Sequence, residues 1–219
     1  VPTEPVLINE NGVLFDIDLW NGHKTGYYLD QRDARKRIGE LASGKSVLNC
    51  FCYTGGFGLY ALKGGAKHVH QVDVSKEALK IARDLVLKNK LPTSQITHTQ
   101  ADVFTYLRQC RDKGLQFDLI ILDPPKFIES KDSLNKGARG YKDINLLAIK
   151  LLSPGGRLAT FSCSGLMEMD LFQKIIADAV EDAKRSAQII ERFGQPADHP
   201  VKTSFPEGQY LKGLLIEVE

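Results

Sequence analysis

The chain lacks several features that mark common protein classes. Its 219 residues include four cysteines and one tryptophan, and 29 basic residues against 27 acidic ones leave a net charge of +2. The cysteines are too few and too irregularly spaced for a disulfide framework, and no further Cys or His pair completes a zinc site. Because the charge is nearly balanced, any contact with RNA or DNA must come from local patches.

Long apolar runs are also missing. No segment approaches the ~18 apolar residues of a membrane-spanning helix, and we expect no secretory or transit peptide. The hydrophobic fraction of 42% and the charged fraction of 26% are typical of a globular domain. These observations favour a cytoplasmic protein with reduced thiols and with neither a membrane nor a metal partner.

The order of apolar and polar segments predicts the fold. Residues 5–20 alternate around Asn11-Gly12, which indicates a β-hairpin. From Lys45 onward, seven short apolar runs alternate with amphipathic stretches, so we expect a Rossmann-like α/β fold with a seven-stranded, mostly parallel sheet and helices on both faces. The predicted helices span residues 57–64, 75–90, 102–113, 141–152 and 168–186. We divide the chain into a hairpin and linker segment, 1–30, and an α/β domain, 31–219.

Ligands of such sheets bind beyond the carboxyl ends of the strands. The first of these ends carries Gly55 and Gly56 in the segment NCFCYTGGFG, and the second delivers Asp73. A glycine turn admits a cofactor close to the backbone, and a carboxylate can accept hydrogen bonds from a ribose diol. NAD and S-adenosylmethionine both remain open, although the absence of a clean G-x-G-x-x-G favours a cofactor without phosphates.

Two further aspartates follow predicted strands. Asp102 is either the N-cap of the next helix or a contact for an adenine amine, and the two roles are compatible. Asp123 comes directly after an apolar strand and precedes Pro124 and Pro125, which make the loop stiff. Such a loop suits a site that must hold a planar base in line with a methyl donor.

Cys163 ends the fifth strand of the α/β domain, between two serines. It is either a small buried apolar residue or a nucleophile facing the same crevice as Asp123. A nucleophilic role requires a thiolate, and the candidate sources of the positive charge that would favour it are Lys126, Arg139 and Lys142.

Several longer strings make the sequence resemble one family. They are HKTGYYLDQR, NCFCYTGGF, DPPKF, RGYKDIN, TFSCSG, ADHPV and PEGQYLKG. The glycine turn, the acid after the second strand, DPP and SCS resemble class I S-adenosylmethionine-dependent methyltransferases, and the full set resembles the bacterial 23S ribosomal RNA (cytosine-5)-methyltransferase I family. Members of that family carry an RNA-binding PUA domain upstream, so the resemblance implies that this chain is the catalytic portion.

The resemblance implies a covalent mechanism. Cys163 would add to C6 of a cytosine in 23S rRNA, and Asp123 would contact either the methionine end of S-adenosylmethionine or the target base. Glu207 would remove the C5 proton, or it is a solvated turn carboxylate, and Asp198 and His199 are competitors for the role of base. Further cofactor contacts implied by the family are Gln31, Arg32, Phe51 and Thr54, beside Gly55, Gly56, Asp73 and Asp102. Arg32 would pair with the methionine carboxylate, or it is a solvated residue of a first helical turn.

RNA contacts are expected from a basic stretch. Residues 126–143 look like a long substrate-binding loop that contains Lys126, Arg139 and Lys142, although solvated charge explains such a run equally well. The target base must leave its stack to reach Cys163. The sequence leaves a homodimer open.

Other functions compete with this one. A guanine-N7 rRNA methyltransferase would share the glycine turn and DPP but need no nucleophile, and an amino-group methyltransferase would place an aromatic residue directly after DPP, where Lys126 stands. A nicotinamide dehydrogenase would use Gly55, Gly56 and Asp73 but leave DPPKF and TFSCS unexplained. A non-catalytic RNA-binding module would not depend on Cys163.

Overall fold

The computed structural model describes residues 5–20, 22 and 26–219, so His23, Lys24 and Thr25 of the HKTGYYLDQR string lie outside it. The first described element is the predicted hairpin, formed by the antiparallel strands β1 (Val6–Glu10) and β2 (Val13–Ile17). Asn11 and Gly12 connect them with φ values of 52° and 77°. Both values are positive, as a tight two-residue turn between strands requires, and the hairpin prediction is confirmed.

A seven-stranded sheet forms the centre of the molecule, as predicted. Its strands are β3 (Ser46–Cys50), β4 (His68–Asp73), β5 (Ile96–Gln100), β6 (Phe117–Leu122), β7 (Leu152–Ser162), β8 (Ala187–Phe193) and β9 (Lys212–Val218). They lie in the order β5-β4-β3-β6-β7-β9-β8, and β9 runs antiparallel to both of its neighbours while the other pairs are parallel. The predicted fold class, a mostly parallel Rossmann-like sheet, is confirmed.

Among the described residues, six α-helices cover the two faces of this sheet. They are α1 (Arg32–Leu41), α2 (Gly56–Lys63), α3 (Lys76–Lys88), α4 (Val103–Asp112), α5 (Leu134–Leu151) and α6 (Met169–Asp182). Apolar side chains of α1, α2 and α3 belong to one buried cluster, and those of α4, α5 and α6 belong to a second. Two separate cores are what a sheet buried on both faces requires.

The N-terminal hairpin packs against the first of these cores. Phe15 is fully buried there together with Ile38 of α1. Glu10 at the end of β1 forms a buried ion pair with Arg35 of α1, at 2.8 Å between Oε2 and Nη2, and also accepts hydrogen bonds from two tyrosine hydroxyls. The boundary that we place between residues 30 and 31 stays a prediction.

One predicted element is wrong. The stretch 126–143 is a loop only in its first part, because α5 begins at Leu134 instead of residue 141. Gly137 in this stretch allows α5 to pack closely: a Cβ there would lie 2.6 Å from the carbonyl oxygen of Phe127. The remaining predicted helices agree with the structure within a few residues at each end.

The strand order identifies the place where a ligand binds. The chain runs from β3 outward to β4 and β5, and then returns to β6 on the other side of β3. This reversal leaves a crevice between the carboxyl ends of β3 and β6. Within the described residues, no helix combines the length and apolar character needed to cross a membrane.

Candidate active site

The turn that follows β3 has an unusual backbone. Phe51 and Tyr53 adopt left-handed φ values of 56° and 47°, and Gly55 has a φ of 81° directly before α2. Non-glycine residues rarely adopt positive φ, and such strain persists where the surrounding structure enforces it, often at binding sites. The predicted cofactor turn is therefore among the most strained segments of the described chain.

Asp73 at the end of β4 supports this turn. Its Oδ2 accepts a hydrogen bond from the backbone N–H of Tyr53 at 2.8 Å, and its Oδ1 accepts one from that of Ser75 at 2.9 Å. An ionised carboxylate has about four acceptor positions, so each oxygen can accept a further bond from a ribose hydroxyl. The geometry fits the predicted role of Asp73 toward a nucleoside.

Gln31 and Asp123 meet on the other side of the crevice. Gln31 is buried in a short 3-10 turn, Leu29–Gln31, and its Nε2 donates to Oδ1 of Asp123 at 3.0 Å. Burial raises the pKa of the Asp123 carboxyl to about 7, and the charge of Asp30 contributes, while Arg35 and the Gln31 bond oppose the shift. Asp123 can therefore carry or release a proton near neutral pH.

Two polar atoms beside this pair are buried without a hydrogen-bond partner among the described residues. They are Oε1 of Gln31 and Oδ1 of Asp30. Because orphaned buried acceptors are costly, they point to a donor supplied by a ligand. An amine-bearing cofactor without phosphates, such as S-adenosylmethionine, offers donors of this kind, and the residues present fit it.

Cys163 follows the end of β7, the strand next to β6. Of the four cysteines it alone is partly exposed, whereas Cys50, Cys52 and Cys110 are buried and desolvation raises their pKa values. Leu122 pairs with Thr160 across the two strands, so Asp123 and Cys163 extend from the same edge of the sheet. The structure thus brings the two predicted catalytic groups to neighbouring strand ends.

The two serines that flank Cys163 have a structural role. Ser162 and Ser164 are fully buried and do not line the crevice, and both form hydrogen bonds with the hydroxyl of Tyr141 in α5, at 3.0 and 3.1 Å. They fix the segment that carries Cys163 to the core.

Arg32 lies at the start of α1 and forms ion pairs within the protein. Its guanidinium contacts Asp198 and, at 3.2 Å, Asp33. A hydrogen bond from His199, with the charge of Arg32, lowers the pKa of Asp198. Asp198 is thus held as an ion-pair partner, and a contact of Arg32 with the methionine carboxylate stays a prediction.

The other predicted cofactor residues lie in the glycine turn and, for Asp102, after the end of β5. Thr54 is buried, and the ring of Phe51 packs edge-on against Phe127 at 6.3 Å. A Cβ on Gly56 would lie 3.0 Å from Cδ of Arg35. Asp102 caps α4 by accepting a hydrogen bond from the backbone N–H of Thr105, which confirms its capping role, while its adenine contact stays a prediction.

The residues predicted to contact RNA or to transfer the proton lie on exposed segments and on α5. Lys126 is exposed directly after DPP, and Glu207 is exposed on the turn Pro206–Gly208. Arg139 and Lys142 lie on α5, where Lys142 pairs with Asp182 of α6 at 2.8 Å. The structure does not join these two residues with Cys163 in one loop.

Three residues at this edge were not predicted to contact one another or the Cys163 segment: Asp30, Tyr210 and Lys212. Tyr210 donates a hydrogen bond to Asp30 at 2.6 Å, and the buried Lys212 donates to the carbonyl oxygens of Ser164 and Tyr210. A lysine within the apolar run YLKGLLIEV was the one available signal, because a charge at the start of a buried strand needs a partner.

Comparison with known proteins identifies the family. Residues 1–216 match the family model described as S-adenosylmethionine-dependent methyltransferase. The chain belongs to this family. The prediction of S-adenosylmethionine as cofactor is thereby confirmed. The methyltransferase shows no group of three or more potential metal-binding side chains in its described part.

Curated relatives extend the similarity. The chain is 61% identical over 216 residues to the ribosomal RNA large subunit methyltransferase I of Aeromonas hydrophila, covering 98% of the chain and 54% of that protein. It is 57% identical over 218 residues to the protein of the same name from Shewanella denitrificans, covering 100% of the chain and 55% of the relative. The methyltransferase therefore spans about half the length of the curated relatives it matches.

Solved structures agree with the fold. A candidate methyltransferase, SMU.776, solved in complex with SAH, superposes with a TM-score of 0.90 at 29% identity, over 99% of this chain and 57% of that one. Trm5b from Pyrococcus abyssi superposes with a TM-score of 0.70 at 17% identity, over 99% of this chain and 56% of its own, and shares the fold.

Proposed function

We propose that the methyltransferase acts on C5 of a cytosine in 23S ribosomal RNA through a covalent bond between Cys163 and C6. The observation that carries this proposal is that Cys163, the partly exposed one of the four cysteines, and Asp123 follow neighbouring strands at the same edge of the sheet. The names of the relatives support a large-subunit ribosomal RNA substrate and, with it, a cytoplasmic location.

The chemistry needs a nucleophile because C5 of cytosine is weakly nucleophilic. The Cys163 thiolate adds to C6, which gives C5 enamine character, and S-adenosylmethionine supplies the electrophilic methyl group. A base then removes the C5 proton, and the electron pair of that C–H bond re-forms the C5–C6 double bond and expels the Cys163 thiolate.

Asp123 would contact the target base or the methionine end of the cofactor at the crevice. With a pKa of about 7, its carboxyl group can donate a hydrogen bond to a ring nitrogen when protonated. Glu207 remains our predicted acceptor of the C5 proton, and its exposed turn would have to close over the substrate. Lys126, beside the DPP segment, would contact the RNA backbone.

The aromatic residue of the DPPKF segment supports C5 over an amino group as the target. Phe127 packs inward against Phe51, Phe104 and Tyr141, with centroid distances of 6.3, 5.8 and 4.8 Å. Because these three neighbouring rings hold the half-buried ring of Phe127, we expect it not to stack on a flipped base.

The test is a nucleoside assay by mass spectrometry. Wild type, Cys163→Ala and Cys110→Ala are incubated with S-adenosylmethionine and unmethylated 23S rRNA, and the digested RNA is analysed. We expect 5-methylcytidine from wild type and from Cys110→Ala, whose change lies in the core of α4, and a loss of at least about 1,000-fold with Cys163→Ala.

A trapping experiment reports on the covalent step. RNA with 5-fluorocytidine at the target should form a stable complex with wild type and none with Cys163→Ala, because fluorine cannot leave as a cation. Methylated guanosine that persists in Cys163→Ala would instead establish the guanine-N7 reaction and refute the covalent mechanism.

A further inference from the structure

Lys212 lies at the carboxyl edge of the sheet although it is the first residue of its strand. Because β9 is antiparallel to its neighbours, it places its first residue at this edge, where the other strands end. Lys212 pairs in register with Ser162, the residue before Cys163, and its side chain is only 5% exposed.

The groups that accept hydrogen bonds from the Lys212 ammonium are neutral. Nζ donates to the carbonyl oxygens of Ser164 and Tyr210, each at 2.7 Å. Within the described ranges, Lys212 forms no ion pair with a carboxylate at 4.0 Å or closer. A buried ammonium normally requires an anion nearby, and two neutral carbonyls meet that requirement only in part.

The nearby charges show where such an anion can arise. Burial lowers the pKa of Lys212, whereas the negative charges of Glu168 and of the Cys163 thiolate raise it and the positive charge of Lys126 lowers it. Electrostatic interaction between two groups is mutual, so a thiolate that stabilises the ammonium is itself stabilised by the ammonium.

We propose that Lys212 is a positioning residue whose buried positive charge favours the thiolate form of Cys163. This inference rests on the proposed function, in which Cys163 is the nucleophile. It assigns the activating charge to β9, whereas the sequence suggested Lys126, Arg139 and Lys142. The two carbonyl bonds hold the ammonium in place beside the Cys163 segment, and its burial reduces screening by solvent.

The other ionisable groups around Cys163 come from several elements. Tyr28 precedes the 3-10 turn, Tyr141 lies on α5, and Tyr210 precedes β9; all three have raised pKa values, mainly through burial, and are uncharged at neutral pH. Asp30, Asp123 and Glu168 can only disfavour a thiolate when ionised, and Lys126 is exposed. Lys212 is therefore the buried cation at this edge within the described residues.

The test is the pH dependence of Cys163 alkylation by iodoacetamide, followed by peptide mass spectrometry. Lys212→Gln keeps a hydrogen-bond donor but removes the charge, and Lys212→Arg keeps the charge. We expect the alkylation midpoint to rise by at least about one pH unit in Lys212→Gln and to stay within about half a unit in Lys212→Arg. Lys150→Gln, an exposed position on α5, is the control and should leave it unchanged.

The result can contradict this inference separately from the proposed function. An unchanged midpoint in folded Lys212→Gln would overturn the role of Lys212. A wild-type midpoint at or above that of an ordinary cysteine, about 8.5, would overturn it even if the variant failed to fold. Alkylation needs no RNA, so a Lys212-dependent midpoint without 5-methylcytidine formation would refute only the proposed reaction.

Discussion

Two regions lie at the same edge of the sheet: the turn after β3, and the strand ends after β6 and β7. They differ in the groups that they offer to a ligand. The first presents backbone: a left-handed Tyr53, Gly55 and an Asp73 that binds main-chain N–H groups. The second presents ionisable side chains, namely Asp123, Cys163 and Lys212. A cofactor can be held by fixed backbone, whereas covalent chemistry requires groups whose protonation the environment adjusts.

The largest expected effect concerns Asp123. Its folded-state pKa of about 7 lies above the unfolded value of about 3.9, so the folded protein binds more protons and stability falls as pH rises from about 4 to 7. Asp123→Asn should remove this loss and be more stable than wild type at pH 8 by about 2–4 kcal/mol, with little difference at pH 4. Urea denaturation at both pH values measures it, and equal pH slopes for the two proteins would contradict it.

The second prediction concerns the backbone of the turn after β3. A Cβ on Gly55 would meet Nε2 of the buried Gln71 at 2.5 Å and Cβ of Ala82 at 3.1 Å, in addition to the cost of the φ of 81°. We expect Gly55→Ala to destabilise the fold by about 2–3 kcal/mol. The matched control is Gly114→Ala, where φ is 67° but nothing lies within 4 Å, and about 1 kcal/mol is expected. Equal losses would show that crowding at Gly55 is unimportant.

A third change tests whether the turn after β3 and the Cys163 region act independently. Asp73→Asn leaves one oxygen where two now accept N–H groups, so we expect S-adenosylhomocysteine to bind about 10- to 100-fold more weakly by calorimetry. The rate of Cys163 alkylation should not change. If alkylation also slowed, the two regions would be coupled rather than separately built. Asp102→Asn should weaken the binding of S-adenosylhomocysteine less, because asparagine also caps helices well.

The smallest expected effect distinguishes the predicted RNA contacts. Lys126→Ala should raise KM for rRNA about three- to tenfold, with a weaker salt dependence, whereas Lys142→Ala should change KM less than about twofold because its ammonium already pairs with Asp182. Methylation rates at varied RNA and salt concentrations measure both. A larger effect of Lys142 would place RNA over the α5–α6 surface.

Local signals in the sequence were sufficient for much of the fold and for the backbone half of the site. Asn11-Gly12 predicts the hairpin because both residues tolerate positive φ, and the glycines with Asp73 indicate a cofactor turn because both signals are close in the chain. The predicted start of α5 is wrong, because a glycine that permits close packing looks the same in sequence as one that breaks a helix.

The ionisable half depends on contacts between distant residues. Tyr210 and Asp30 are 180 positions apart, and Lys212 reaches Ser164 only because β9 reverses direction within the sheet. Which strands end in chemically useful residues follows from the amino-acid order alone, since periodicity and turn composition act locally. Which of those residues are buried together, and which charge faces Cys163, was decided by the tertiary structure, because desolvation and electrostatic interaction depend on distances in space.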